Sequence, residues 1–344
     1  MSQASAQQQV DAIESFSRVR VCSAGDVMLD HFVYGGVSRI SPEAPVPILR
    51  IERSQSMLGG AGNAVRNLAA LGCRVEFFAV TGDDPQGAEV ATAVAALPRC
   101  AGHLVTEAGR PTTVKSRYIS DGQQMLRADL ESDAPVAAPV LEALLERFER
   151  AVRECDVVLL SDYAKGVLNG EHAQRFLAIA ARAGKPSIVD PKGRDFRRYR
   201  GASVIKPNLK ELHEATGLAV DGEAAQEEAA HRLLGNLDAE YLLVTCGAGG
   251  MLLASRDGAS RRFPSLAREV FDVSGAGDTA AAALAAGIGA GAGIAAAVEI
   301  ANCAAGIVVG KHGTAVVTPG ELIHEIRHRP APDAAREAAP GQPA

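Results

Sequence analysis

Four features are missing from these 344 residues, and each absence removes a class of function. There is no long basic block: 35 Lys and Arg face 41 Asp and Glu, the net charge is −6, and the basic groups at 192–200 and 261–262 are short and interrupted. Nucleic acid is therefore excluded as the main partner. The six cysteines form no Cys-x-x-Cys pair and most lie in apolar runs. That pattern fits buried thiols in a reducing compartment and predicts a cytoplasmic protein. The first residues, Ser2 to Gln9, are polar and lack a basic segment leading into an apolar one, so no signal peptide is expected. Finally, no Gly-x-x-x-x-Gly-Lys-Ser/Thr sequence occurs, which excludes a P-loop.

What is present is 47% hydrophobic content, enough for a large α/β domain. Short apolar runs read as strands at Arg18–Ala24, Arg74–Val80, His103–Thr106, Asp156–Leu160, 187–189, Val204–Ile205, Leu242–Thr245 and 251–254. Helical patterns separate many of them, at Asp84–Leu97, Val136–Arg153 and 171–183. This alternation predicts an α/β fold with a doubly wound, mostly parallel sheet flanked by helices. Polar residues follow strand after strand, so one sheet edge should collect the chemistry. Ala280 to Val298 is uncharged and of roughly membrane-spanning length, but it is mostly Ala and Gly and is broken at Gly287–Gly293. Two buried helices joined by a glycine turn are expected there, and no membrane contact. Residues 1–17 read as a flexible polar leader, 18–328 as one domain, and 329–344, rich in Pro, Ala and charge, as a disordered tail.

Two segments stand apart. Residues 32–57 alternate apolar and polar residues around Pro42, Pro45 and Pro47, and 112–129 behave similarly. They predict a small β-sheet lid beside the main domain.

The stretch Phe271-Asp272-Val273-Ser274-Gly275-Ala276-Gly277-Asp278-Thr279 carries the strongest chemical signal. It reads as the end of a strand over 268–273 followed by a long alanine-rich helix. Gly275 and Gly277 strip the turn of side chains, so backbone N–H groups at a helix N-terminus face a ligand, an arrangement that favours anions. Asp278 places a carboxylate inside that anion site. It would repel a phosphate unless its task is to take the proton of a hydroxyl attacking phosphorus. A helix start with an acid in its first turn accounts for the same residues more simply. A second glycine turn, Leu58-Gly59-Gly60-Ala61-Gly62-Asn63, runs into a helix and offers N–H groups and the Asn63 amide to a hydroxyl-rich ligand. Asp30 lies just past the first strand, where it can hold sugar hydroxyls or simply cap a turn.

Two motifs mislead. Gly275-x-Gly277-x-x-Ala280 matches the dinucleotide fingerprint, which would make the chain a nicotinamide dehydrogenase, but two Ala-rich helices follow where a second strand with a ribose-binding acid belongs. His324-Glu325-Ile326-Arg327-His328 matches the zinc pattern His-Glu-x-x-His but has no later histidine as third ligand, and it reads as a surface helix end.

The paired glycine elements resemble those of the PfkB (ribokinase-like) carbohydrate kinases. That family's Gly-Gly-x-Gly-Asn element matches Gly59 to Asn63, and its Asp-Thr-x-Gly-Ala-Gly-Asp element resembles Asp272 to Asp278, with Val273 in place of the usual Thr. The family's magnesium-linked Asn-x-x-Glu element matches Asn208 to Glu211. The resemblance spans about residues 18–325 and implies a ribokinase-like fold, ATP and Mg²⁺. Finer stretches, Gly25 to Asp30, Ser38 to Pro47, Ser161 to Gly166 and Asp190 to Gly193, resemble the branch of the family that phosphorylates D-glycero-β-D-manno-heptose 7-phosphate at O1 in the bacterial ADP-heptose pathway. Fructose phosphates, tagatose 6-phosphate and ribose are the rival acceptors.

The resemblance implies a role for each matching residue. Asp278 would be the base, with Gly275, Ala276 and Gly277 forming the anion site. Asp30, Gly59, Gly60, Asn63 and Asp162 would hold the sugar, and Arg117, Lys165 and Lys192 would clamp its phosphate. Asn208, Thr245, Gly247, Gly249 and Asn302 would bind ATP, and Glu211 would act on Mg²⁺ through water. It also implies a homodimer through the lid, which the apolar alternation at 46–51 permits, and a separate adenylyltransferase acting downstream.

Overall fold

The computed structural model describes residues 6–267, 270–311 and 313–329. In chain order its elements are α1 (Ala6–Glu14), β1 (Arg20–Gly25), β2 (Val27–Ile40), β3 (Pro47–Gly60), α2 (Ala61–Ala70), β4 (Arg74–Gly82), α3 (Pro85–Ala95), β5 (Cys100–Glu107), β6 (Thr113–Ser120), β7 (Gln123–Leu130), α4 (Ala138–Val152), β8 (Val157–Ser161), α5 (His172–Arg182), β9 (Ser187–Asp190), β10 (Val204–Ile205), α6 (Leu209–Thr216), α7 (Glu223–Gly235), β11 (Tyr241–Thr245), β12 (Met251–Ser255), β13 (Ser260–Phe263), α8 (Ala276–Gly289), α9 (Ile294–Val309) and α10 (Pro319–His328).

Nine strands form the main sheet in the order β13-β12-β11-β10-β9-β8-β1-β4-β5. From β5 to β11 the pairing is parallel, and β12 and β13 close one edge in antiparallel fashion. Parallel strands with helices on both faces must be apolar on both faces, and all five residues of β8 are buried. Neighbours alternate between two cores. Val21 packs with α1, α2, α8 and α9, whereas Cys22 packs with α4, α5 and α7. Local signals fix several helix starts. Asp84 accepts from the Gly87 N–H before Pro85 at the head of α3, and Thr318 and Glu321 cap α10 reciprocally. The Ala and Gly content of α8 and α9 lets these helices approach closely: a Cβ on Gly287 would stand 3.0 Å from the Ala297 Cβ. Among the described residues, no helix is long and apolar enough to cross a membrane.

The second sheet has four strands, β3-β2-β6-β7. It contains the two segments expected to stand apart. Every residue of β7 is exposed.

Two expectations need correction. The flexible leader is largely α1, whose Val10 and Ile13, with Phe16 just beyond, are buried against α8, α9 and α10. Spacing of three residues puts these apolar side chains on one helix face, and flanking glutamines mask the pattern. The strand expected over 268–273 is also absent from its described part. Residues 270–273 are irregular, and Val270, Phe271 and Val273 are exposed because the sheet already ends at β13. Apart from Arg329, the expected disordered tail lies outside the described residues.

Candidate active site

The carboxyl ends of β1, β8, β9, β10 and β11 deliver Asp26, Asp162, Asp190, Lys206 and Thr245 to one edge of the main sheet. A cavity of about 700 Å³ opens there, with the α8 N-terminus as one wall. Gly275 begins that wall in a left-handed conformation, φ 80°, and a Cβ there would lie 2.8 Å from the Asn63 amide nitrogen. A side chain is therefore excluded twice, by backbone strain and by contact. The Ala276 N–H donates to the Val273 carbonyl at 3.2 Å. The anion-facing donors of the first turn are accordingly those of Gly277 and Asp278, which an α-helix leaves without an internal acceptor.

Asp278 is 7% exposed and held on both sides. Asn63, from α2, donates to its Oδ2 at 2.7 Å, and the Tyr163 hydroxyl donates to its Oδ1. Burial pushes the Asp278 carboxyl above the usual aspartate range, and the bonds from Tyr163 and Asn63 and the charge of Lys206 partly oppose this. Lys206 is itself 3% exposed and pairs with Asp190 at 2.9 Å. Burial alone would lower its affinity for a proton, but Asp190 beside it keeps the ammonium above the ordinary lysine value. The Asp190 carboxyl is pushed up to about 6 by burial despite that partner. A Cβ on Gly277 would come 3.7 Å from the Lys206 Nζ, so a positive charge lies directly behind the glycine turn.

Asn63 belongs to a chain of amides. Its backbone carbonyl accepts from Asn67 Nδ2 at 2.9 Å, and Asn67 Oδ1 accepts from Thr279 Oγ1 at 3.0 Å, so α2 and α8 are locked in register behind Asp278. Gly59 is needed where β3 passes Asp30: a Cβ there would lie 2.1 Å from the Asp30 Oδ2. Gly60, φ 57°, precedes α2, and the Ala61 N–H donates to the Asp26 carbonyl at 3.0 Å. Asp30 accepts from Arg117 Nη1 at 2.5 Å.

The remaining expected residues are distributed as follows. Asn208 and Glu211 cap α6 reciprocally, and Glu211 also accepts from Lys192 at 3.0 Å. All three line the cavity with Thr245, Gly247 and Asn302, while Gly250 rather than Gly249 faces it. The Asn302 amide donates to the Pro264 carbonyl at 2.8 Å. Lys192 therefore stands beside Glu211 in the cavity wall, a wall that includes neither Asp30 nor Arg117. The Asp162 carboxylate faces inward, accepting from the Ala164 N–H at 2.7 Å and the Tyr199 hydroxyl at 2.5 Å. Lys165 pairs with Glu131 at 2.8 Å.

Sequence reasoning passed over Asp26, Tyr163, Asp190 and Lys206. Asp26 is buried and accepts from the N–H groups of Tyr163, Lys165 and Val167 at 2.9, 3.0 and 2.9 Å, which holds the 162–167 turn over the site. The available signal was a charged residue at the end of each apolar strand, clearest for Lys206 after Val204-Ile205.

A buried carboxylate at the mouth of a glycine-led helix, beside a cavity at the carboxyl edge of the main sheet, is an arrangement suited to a phosphotransferase acting on an alcohol. A profile of the pfkB family carbohydrate kinases matches residues 20–320, and the chain belongs to that family. It is 50% identical over 314 residues to the bifunctional protein HldE of Paramagnetospirillum magneticum, covering 91% of this chain and 64% of the relative. It is 52% identical over 312 residues to the bifunctional protein HldE of a Caulobacter species, covering 90% and 63%. The chain thus spans somewhat less than two thirds of the length of these relatives. Among solved structures, it superposes on Arabidopsis thaliana ribokinase complexed with ribose and ATP with a TM-score of 0.72 at 20% identity, covering 90% of this chain and 99% of that one. Phosphofructokinase-2 from Escherichia coli in complex with potassium gives 0.74 at 20% identity, with the same coverage. The ribokinase-like fold is therefore shared. The dinucleotide match at Gly275–Ala280 follows an irregular segment rather than a strand.

Proposed function

We propose that this chain transfers the γ-phosphoryl group of ATP to O1 of D-glycero-β-D-manno-heptose 7-phosphate, an early step of ADP-heptose synthesis for the lipopolysaccharide core. The observation that carries this reading is the 50–52% identity, across about nine tenths of the chain, with proteins named HldE. The Gly25–Asp30, Ser38–Pro47, Ser161–Gly166 and Asp190–Gly193 stretches resemble the same branch of the family.

The site residues act as follows in this reading. Asp278 takes the O1 proton, while Tyr163 and Asn63 hold its carboxylate in place. The Gly277 N–H and the Lys206 ammonium behind it favour negative charge on the migrating phosphoryl group. Asp30, fixed by Arg117, and Asn63 orient the sugar hydroxyls, with Gly59 and Gly60 giving them room. Asp162 shapes the turn that carries Tyr163. ATP lies along Asn208, Thr245, Gly247 and Asn302, with Gly249 supporting the turn beneath. The donor set suits a magnesium ion held mainly by substrate phosphates. The described residues contain no cluster of three His, Cys, Asp or Glu, and Glu211 is a single carboxylate already engaged by Lys192, so its contact runs through water. Bound there, Mg²⁺ would supply positive charge to the phosphates of ATP.

The small sheet acts as a lid that excludes water from the transfer. Its exposed Ile40, Ile51, Met125, Leu126 and Leu130 support a homodimer through that sheet. The reading places the protein in the cytoplasm, with an adenylyltransferase consuming its product. An ADP-release assay over heptose 7-phosphate, fructose 1- and 6-phosphates, tagatose 6-phosphate and ribose tests it. Heptose 7-phosphate should give the highest kcat/KM, and a higher value for any other acceptor overturns the assignment.

A further inference from the structure

The lysines nearest the sugar side of the site share one carboxylate. Lys115, on β6, donates to Asp129 at 2.9 Å and to Glu131 Oε2 at 2.7 Å. Lys165, from the main body, reaches Glu131 Oε1 at 2.8 Å. Arg127 holds Asp129 at 2.9 Å. Both lysine side chains are only 17% exposed. In the parallel β2–β6 pair Lys115 lies opposite Asp30 and Arg117 opposite Phe32, and paired residues share a face. The cluster therefore continues the sheet face that presents Asp30 and Arg117.

Three cations here face two carboxylates, which leaves one positive charge in excess. Two ammonium groups gripping separate oxygens of one carboxylate have the arrangement that two oxygens of a phosphate would satisfy. Glu131 is also the residue best able to leave. It is the first residue past β7, the ladder ends at Val114–Leu130, and the following connection to α4 is irregular. Its departure breaks no sheet hydrogen bond.

We propose that Lys115 and Lys165 form the seat of the phosphate group that the acceptor sugar already carries, and that Glu131 fills this seat until the phosphate displaces it. The inference rests on the acceptor being a sugar phosphate. With Glu131 turned into water, Lys115, Lys165 and Arg127 face Asp129 and a phosphate dianion, and the charges balance. Lys115 rides on the small sheet and Lys165 on the body, so the phosphate ties the two together. A phosphorylated acceptor thereby closes the lid, and an unphosphorylated sugar leaves the Glu131 bridge in place. Burial would raise the Glu131 carboxyl, but hydrogen bonds from the two lysines hold it below the usual range, so the displaced group is an anion at neutral pH.

The test uses orthophosphate as probe, titrated calorimetrically into the full chain and its variants, alongside steady-state kinetics. Orthophosphate should compete with the sugar phosphate. Lys115→Met and Lys165→Met should each weaken orthophosphate binding and raise KM for the sugar phosphate by about tenfold or more, with KM for ATP within about twofold, the size expected for one charge-assisted contact. Glu131→Gln, which removes the competitor and leaves both lysines, should tighten orthophosphate by roughly three- to tenfold. Unchanged or weaker binding by Glu131→Gln, or equal effects of the lysine variants on both substrates, overturns the proposal. Because the titration needs no turnover, it separates the two readings. Inactivity toward heptose 7-phosphate with the orthophosphate pattern intact sinks the acceptor assignment alone, whereas turnover that is indifferent to both lysines sinks the phosphate seat alone.

Discussion

The two sheets reach the same site by opposite physics. In the nine-stranded sheet, β8 is wholly buried, Asp26 and Lys206 at its edge and Asp278 on the adjoining α8 are nearly dry, and Asp190 beside them is 15% exposed. There a charge is tolerable only when another group pairs with it, so Lys206 sits on Asp190 and Asp278 on Tyr163 and Asn63. In the four-stranded sheet the strand ladders bring the charges together. Lys115, Asp129, Arg127 and Glu131 meet on β6, β7 and just past it with side chains 17–51% exposed, where partners exchange more readily than in the dry interior. The main sheet pins Lys206 to one partner, whereas the edge of the small sheet shares Lys115 and Glu131 among several.

Four substitutions probe that contrast. The largest effect belongs to Asp278→Asn, which should keep the fold and ATP affinity and lower kcat by about 10²–10⁴, the usual share of a general base. Single-turnover kinetics would check it, and near-normal turnover would remove the dry carboxylate from the mechanism. Lys206→Met leaves Asp190 buried without its cation and should destabilise the protein by about 3–5 kcal/mol in urea unfolding. A loss as small as that of a surface pair would mean that the main sheet is not the dry environment described.

Tyr163→Phe acts through pH. The base works ionised, and burial raises its carboxyl, so activity is present at high pH and lost as pH falls through a value above the usual aspartate range. Removing the Tyr163 bond, which holds that value down, should move the acid limb of the kcat/KM profile to higher pH. A limb unmoved or shifted downward would break the link between the turn and the base. The smallest effect is expected at Leu126→Ser, on exposed β7. It should change protomer stability by no more than about 0.5 kcal/mol, yet weaken self-association in sedimentation runs. A large loss of protomer stability would make the two sheets alike.

Much of the fold could be read in advance because parallel strands buried on both faces are continuous apolar runs, as in Val157–Leu160. Helix caps such as Pro85 and Thr318 carry their own signals. The misses have physical reasons as well. Val10, Ile13 and Phe16 look like an unstructured leader because the face they share is completed only by α9 and α10. Residues 270–273 are mostly apolar like a strand, but the Phe271 and Asp272 N–H groups donate to the Val309 carbonyl at the end of α9 instead of joining the sheet. At the site, Asn208 and Glu211 were read as a magnesium element, and the structure adds that they are also the capping box of α6. Lys165 and Arg117 are expected as phosphate clamps, and the structure adds that each also holds a carboxylate from another strand or loop.

The amino-acid sequence alone determined the glycine turns, the acid that follows the second of them, the alternation of strands and helices and the separate small sheet. These depend on local backbone freedom and on periodicity, which neighbouring residues carry. Only the tertiary structure decided which charge meets which. Asn63 lies 215 residues from Asp278, Tyr163 lies 115 from it, and Lys165 lies 34 from Glu131. Such pairings follow from strand order and burial: a charge in a dry interior takes whatever partner the packing brings within reach, however distant along the chain.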